Sequence, residues 1–327
     1  MIKKGLLSII TPCYNTAHLV TRLLDSILMQ DYPNIEMFVV DDGSKDDIGE
    51  IINNYIVKFR RKGYCLNLIS QENLGQSVAI NKALKKCSGE FLTWPDSDDY
   101  IKDCRYYSKM IDVLYHTDDD VTSVRCLPSY VDENKLSVLR RQTYLKTESS
   151  IFEECLWASS NFWFPPICYM VKMSAVDKQI PQRNIYTEKN AGQNWQLMLP
   201  LFYKHKCITI PEWDVCILER RSSHSRGQYH TYMQLSEKYL SYQNTIKNTL
   251  LAMNSEVQDY IYKVDRKYFA LQISLALSHG EFINVRRFFV KMCSLPIRYI
   301  SIKGFFGYIL SYLPWRMTIL NLIYKIR

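Results

Sequence analysis

The chain has 327 residues, 47% hydrophobic and 23% charged, enough core material for one large or two packed units and incompatible with disordered, collagenous or low-complexity classes. Its formal net charge of +8 is confined to one segment: no acidic residue follows Glu281, the last 46 residues carry eight basic ones, and residues 1–281 set 33 basic against 33 acidic side chains. A neutral body with a basic tail argues for a local charged surface and against nucleic-acid binding.

Residues 6–11 (LLSIIT) are a short apolar run that stops at Pro12, the pattern of a buried strand. Residues 17–29 place Leu19, Leu23, Leu24, Ile27 and Leu28 at helical spacing. A second strand spans 35–40 and ends in Asp41-Asp42-Gly43-Ser44; a helix follows over 46–61. A third strand covers 64–70, a helix 75–86, and a fourth strand 90–94, which runs into Pro95-Asp96-Ser97-Asp98-Asp99. Beyond it the pattern predicts a helix over 105–116 and strands over 121–126 and 166–171. A helix over 193–204 and one or two strands within 207–219 follow, and the chain is helical from about 226 onward.

Strand and helix alternate four times in the first hundred residues, which predicts a mostly parallel sheet flanked by helices. In such sheets ligands sit beyond the carboxyl ends of the strands. Thr11–Asn15, Asp41–Ser44 and Asp96–Asp99 all fall there, and they are expected to converge in space.

Asp96 and Asp98 are two residues apart at a strand end. One reading is a solvated turn in which Asp98 or Asp99 caps a helix. The other is a pair of hard oxygen ligands for Mg²⁺ or Mn²⁺, a chemistry that suits substrate phosphates. Asp41 and Asp42 likewise serve either a turn before the next helix or a hydrogen bond to a base or ribose edge.

Taken together, Thr11-Pro12-Cys13-Tyr14-Asn15, Val40-Asp41-Asp42-Gly43-Ser44, Asn73-Leu74-Gly75 with Asn81, and Gly89-Glu90 leading to Asp96-Ser97-Asp98-Asp99 resemble the family 2 glycosyltransferases. The resemblance is strong over residues 5–105 and looser over 106–225. It implies an α/β, Rossmann-like GT-A fold over 1–225 (a nucleotide-binding half over 5–105 and an acceptor half over 106–225), followed by a helical region over 226–327. It also implies a nucleotide-sugar donor, most simply a UDP-sugar, and Mn²⁺ or Mg²⁺ as cofactor. Pro12, Tyr14 and Asn15 would line the nucleotide pocket, and Asp41 or Asp42 would read the base. Asn73, Gly75 and Asn81 would shape the wall around the ribose and diphosphate. Asp96 would face the ribose and Asp98 would ligate the metal. The family usually inverts the anomeric centre in one displacement.

The sequence departs from the family where relatives place a catalytic aspartate. The matching segment is Gly192-Gln193-Asn194-Trp195, and the amide of Asn194 cannot accept a proton near neutral pH. Three readings follow: another carboxylate stands in, Glu188 being the nearest upstream and Asp177 further off; Gln193 and Asn194 orient an acceptor whose proton leaves by another route; or transfer is lost and a non-catalytic nucleotide-sugar or glycan-binding partner of an assembly remains. In the family a loop at residues 219–226 can close over the diphosphate, which would employ Arg221, Ser223, His224 and Arg226; the alternative is a solvated loop.

The tail interleaves Phe288, Phe289, Phe305, Phe306, Tyr308, Tyr312 and Trp315 with its basic residues. This suits an anionic membrane surface, the alternative being packing on the body or on a second subunit in a homodimer. No stretch is long and apolar enough for a signal peptide or a spanning helix. Ten cysteines without C-x-x-C spacing read as reduced, buried thiols. The expectation is a cytoplasmic enzyme, peripheral on the inner face of a bacterial membrane, adding sugar to a glycan or lipid-linked acceptor for surface polysaccharide.

Overall fold

The computed structural model describes residues 2–143, 148–159, 162–188, 191–220, 231–253, 255–314 and 316. The chain divides into two compact units, Met1–Arg220 and Arg221–Arg327.

The first unit begins with β1 (Lys3–Cys13), α1 (Ala17–Leu28), β2 (Ile35–Asp41), α2 (Ile48–Lys62), β3 (Cys65–Ser70), α3 (Gln76–Leu84) and β4 (Gly89–Thr93). It continues with β5 (Tyr100–Ile101), α4 (Tyr106–Tyr115), β6 (Val121–Asp132), β7 (Val138–Arg141), β8 (Glu148–Ser149) and α5 (Phe152–Trp157). It closes with β9 (Tyr169–Lys172), α6 (Met173–Gln179), α7 (Gln193–Phe202) and β10 (Lys206–Glu219).

The strands form one sheet in the order β3-β2-β1-β4-β9-β6-β10-β5, with β7 paired to β6 and β8 to β10. β1 lies parallel to β2 and β4, β2 parallel to β3, and β6 parallel to β10. β9 runs antiparallel between β4 and β6 and joins the two parallel sets. This is the α/β, mostly parallel architecture expected. The last seven residues of β1 and all of β2 but Asp41 are buried because helices cover both faces, which is why these stretches read as continuous apolar runs.

Where those helices stop is written locally. Gly63 takes a left-handed φ of +86° behind α2, and Arg60, Arg61 and Lys62 fill its last turn, a glycine stop with basic residues at the negative helix end. At the start of β4 the nearly buried Glu36 accepts from Ser8 Oγ at 2.6 Å and from the Ser88 and Gly89 amides at 2.6 and 3.1 Å. A Cβ on Gly89 would meet the Leu6 carbonyl oxygen at 2.6 Å, so only glycine lets β4 lie this close to β1.

In the second unit, α8 (Tyr232–Ala252), α9 (Gln258–Ser278), α10 (Phe282–Cys293) and α11 (Ile302–Leu310) follow one another. α8 opens with a capping box between Thr231 and Gln234, which satisfies two otherwise orphaned backbone amides. The core of this unit gathers Ile273, Ala276, Val285, Phe288, Phe289 and Met292. Phe288 and Phe289 are therefore core residues, which corrects their expected place among surface aromatics. No described helix is long and apolar enough to cross a membrane.

Candidate active site

The carboxyl ends of β1 and β2 are level, with Cys13 opposite Asp41. The two loops beyond them are fastened together. The Asn15 amide donates to Ser44 Oγ at 2.9 Å, and Asn15 Oδ1 accepts from the Lys45 amide at 2.8 Å. Asn15 holds a left-handed φ of +53°, a conformation asparagine tolerates better than most residues. Pro12 is buried within β1, whereas Tyr14 is 41% exposed at the rim.

Asp41 and Asp42 have separate tasks. Asp41 Oδ1 accepts from the Ser44 amide at 2.8 Å and closes its own turn. Asp42 is 6% exposed. Its Oδ1 accepts from Gln71 Nε2 at 2.7 Å and the Leu74 amide at 2.9 Å, and its Oδ2 from the Gly75 amide at 2.9 Å. Asp42 thus clamps residues 71–75 against the end of β2. Gly43, at φ +77°, lets the backbones meet: a Cβ there would lie 2.9 Å from the Asn73 amide nitrogen. Gly75 takes φ +97° and opens α3. The two motifs, thirty residues apart in sequence, make one wall.

Asn81 is buried on α3 and spends its amide on the backbone of Ile185, donating at 2.9 Å and accepting at 2.8 Å. Ser77, also on α3, donates to the Glu188 carbonyl oxygen at 3.3 Å. These bonds hold residues 185–188 beside α3. The Glu188 carboxylate accepts from Tyr186 Oη at 2.9 Å. Asp177, the more distant carboxylate, is taken up by Arg183 in a two-pronged ion pair at 2.5 and 3.0 Å.

The turn after β4 faces this wall. Ser97 Oγ donates to Thr16 Oγ1 at 3.0 Å and ties the turn to the loop after β1. Asp96 Oδ1 accepts from Gln76 Nε2 of α3 and Gln193 Nε2 of α7, each at 3.4 Å. Asp98 Oδ2 meets Arg220 Nη2 at 2.5 Å. Asp99 is 3% exposed and accepts from the Leu218 amide at 3.4 Å. Burial, then repulsion from Asp98, pushes the Asp96 carboxyl up to about 7. Burial, then the charges of Asp98 and Asp96, pushes Asp99 well above the usual range.

Three clustered carboxylates therefore face one described guanidinium, and two of them hold protons unusually tightly. Hard oxygen donors short of positive charge suit a divalent cation, which would have to displace Arg220 from Asp98. A second acidic group does not suit one. Asp103, Glu212 and Asp214 bring their oxygens within 4.8 Å of one another, but Lys109 Nζ sits among them, 3.0 Å from Asp103 and 2.5 Å from Asp214. Burial opposes that ammonium's charge, yet its bonds to Asp214, Glu212 and Asp103 raise its pKa, so the place of a cation is filled.

Asn194 opens α7 beside Gln193, and its Oδ1 accepts from the buried Trp94 Nε1 at 3.3 Å. Trp94 and Gln76 are the contacts that motif reading does not single out, whereas Gln193 belongs to the expected acceptor-orienting pair and Arg220 to the expected 219–226 loop. Gln76 follows Asn73-Leu74-Gly75 directly; proximity to a motif was the available signal. Arg221, Ser223, His224 and Arg226 lie outside the described residues.

The family model for glycosyl transferase family 2 matches residues 8–173, half of the chain. The chain is 40% identical over 102 residues to the glycosyltransferase GlyA of Streptococcus pneumoniae, covering 31% of this chain and 14% of that protein. It is 38% identical over 96 residues to a putative teichuronic acid biosynthesis glycosyltransferase, TuaG, of Bacillus subtilis, covering 29% and 37%. The chain thus spans less than half the length of these curated relatives. Among solved structures, S. aureus TarS 1–349 in complex with UDP-GlcNAc superposes with a TM-score of 0.64 at 18% identity, covering 96% of this chain and 92% of that one. The mannosyltransferase PcManGT of Pyrobaculum calidifontis, in complex with GDP-Man and Mn²⁺, superposes with a TM-score of 0.52 at 15% identity, covering 96% and 83%. These likenesses agree with the GT-A fold that the family resemblance implied.

Proposed function

We propose a reaction from one premise: the chain belongs to glycosyl transferase family 2. In this reading it transfers a sugar from a nucleotide-diphospho-sugar, a UDP-sugar in the simplest case, to a glycan or lipid-linked acceptor in bacterial surface polysaccharide synthesis. The observation that carries the reading is the meeting at Asp96 of side chains from the β4 turn, α3 and α7. The UDP-GlcNAc complex of TarS and the putative teichuronic acid role of TuaG support the donor class and the product class.

Tyr14, exposed at the rim, would stack on the base, and Asp41, beside it, would accept from the base edge. Asn15, Asn73 and Gly75 would shape the backbone wall around ribose and diphosphate. Asp42 and Asn81 would act from behind, holding residues 71–75 and 185–188 in place. Asp96 and Asp98 would hold Mn²⁺ or Mg²⁺, which supplies neutralisation of the charge that builds on a departing diphosphate. Glu188 would take the proton of the acceptor hydroxyl. The hydroxyl oxygen then forms its bond to the anomeric carbon as the bond to the diphosphate oxygen breaks, with inversion. A lipid-linked acceptor puts this chemistry at the inner face of the cell membrane.

Asn194 favours a second reading, a binding partner without transfer activity, since an amide stands where relatives carry a base. A screen of UDP- and GDP-sugars with Mn²⁺, read by thermal shift and by donor hydrolysis, separates the two. The transferase reading expects both signals for one donor, and loss of both in Asp98→Ala. Binding without hydrolysis or transfer supports the second reading, and no response to any donor removes the first.

A further inference from the structure

α11 is built inside out for a helix in water. A surface helix normally turns large apolar side chains inward and polar ones outward. Here the buried positions are Gly304 and Gly307, flanked by buried Ser301 and Ser311. A Cβ on Gly304 would meet Ile273 Cδ1 and Met292 Sδ, both at 3.3 Å, and one on Gly307 would meet Leu277 Cδ1 at 2.9 Å. The helix therefore lies on α9 through its smallest residues. Tyr308 stacks inward on Phe289 and Phe305 also touches it, but the remaining large side chains face out: Ile302 is 74% exposed, Phe306 63% and Ile309 42%. Tyr312 and Leu313 extend the apolar surface at 54% and 40%.

Resting on the membrane placement proposed above, we propose that this outward face of α11 docks the protein on an anionic lipid surface. Charge selects lipid over a second copy. Lys303 is the only charged residue of α11, and Arg287 and Lys291 stand exposed on α10. The chain has no acidic residue after Glu281. A two-fold contact would press one basic surface against its own image, with nothing on this segment to neutralise it. Anionic headgroups reverse that sign, and exposed Phe and Ile side chains enter the headgroup boundary where such helices lie.

The test is flotation of the full chain with vesicles of phosphatidylcholine alone or mixed with phosphatidylglycerol. Truncation at residue 282 is unsuited, because it removes Phe288, Phe289 and Met292 from the core of the second unit. Ile302→Ser/Phe306→Ser changes the two most exposed large side chains of α11, and the single Phe306→Ser is a milder second variant. The wild type should float with the mixed vesicles and not with phosphatidylcholine. The double variant should lose at least tenfold of the bound fraction, with Phe306→Ser intermediate and melting unchanged in both. Wild type that stays with the soluble fraction, or variants that float as well as wild type, overturn the proposal. A dimer in light scattering that the double variant splits, without flotation, assigns the face to a second copy and overturns it too. Donor-dependent thermal shift on the same samples should not change, so a failed transferase reading and a failed docking surface give different results.

Discussion

Asn194 sets the chemical problem of this site, since its side chain accepts from Trp94 and cannot take a proton from a hydroxyl. In the proposed reaction Glu188 takes that role: Ser77 of α3 anchors its backbone, and Asp177, the other candidate, is spent on Arg183. Glu188→Gln is therefore expected to lower kcat by about 10²–10⁴-fold while the donor-induced thermal shift is retained; near-wild-type turnover would dismiss Glu188. Asp96 carries a second expectation. Its carboxyl is raised to about 7, so between the unfolded value near 4 and 7 the folded state binds the extra proton. Stability of the metal-free protein should fall as pH climbs through that window, since the folded state then loses a proton that the unfolded chain has already released. Melting in EDTA from pH 4.5 to 7.5 checks the sign. Added Mn²⁺ should raise the melting temperature more at pH 7.5 than at pH 5.5, because the ion competes with that proton.

At the scale of elements, the wall of the site is the joint between the loop after β2 and the segment before α3, and Asp42 is the joint's fastening. Asp42→Ala leaves the Leu74 and Gly75 amides without their acceptor, a loss of about 2–4 kcal/mol. Urea unfolding should report it, together with weakened donor binding. Asp41→Ala, which removes one turn bond, should cost less. The first four strands and the helices between them were legible because each apolar run ends in a turn signal and the sheet buries both faces. The convergence of three polar clusters followed from strand direction alone. β7, β8, α5 and α6 were not legible. β7 is four exposed residues, β8 is two residues long, and the helices have six and seven, too short to show a period. For Asp42 the sequence offers a turn or a base contact, and for Asn81 a place in the wall, because a motif shows residue type and not direction. Only the fold reveals that their polar atoms turn inward to the backbone.

For the whole molecule, the division of charge matters more than its total. Residues 1–281 are balanced, and the excess of eight positive charges belongs to the last 46 residues. The second unit therefore carries a field that the balanced body lacks, and the two should respond differently to salt. Exposed basic residues attract an anionic surface over about 10 Å at 0.1 M salt and about 3 Å at 1 M. Donor recognition in the proposed site depends on fixed hydrogen bonds and on carboxylates set close together, which screening reaches far less. Raising NaCl from 50 to 500 mM should then strip the protein from phosphatidylglycerol vesicles by tenfold or more, while the donor KM in the absence of vesicles changes by about twofold or less. Lys303→Glu should reproduce part of the salt effect at 50 mM without touching the KM. Equal salt sensitivity of the two measurements would mean that the basic tail takes part in donor binding, and the separation of a neutral catalytic body from a charged docking segment would have to be abandoned.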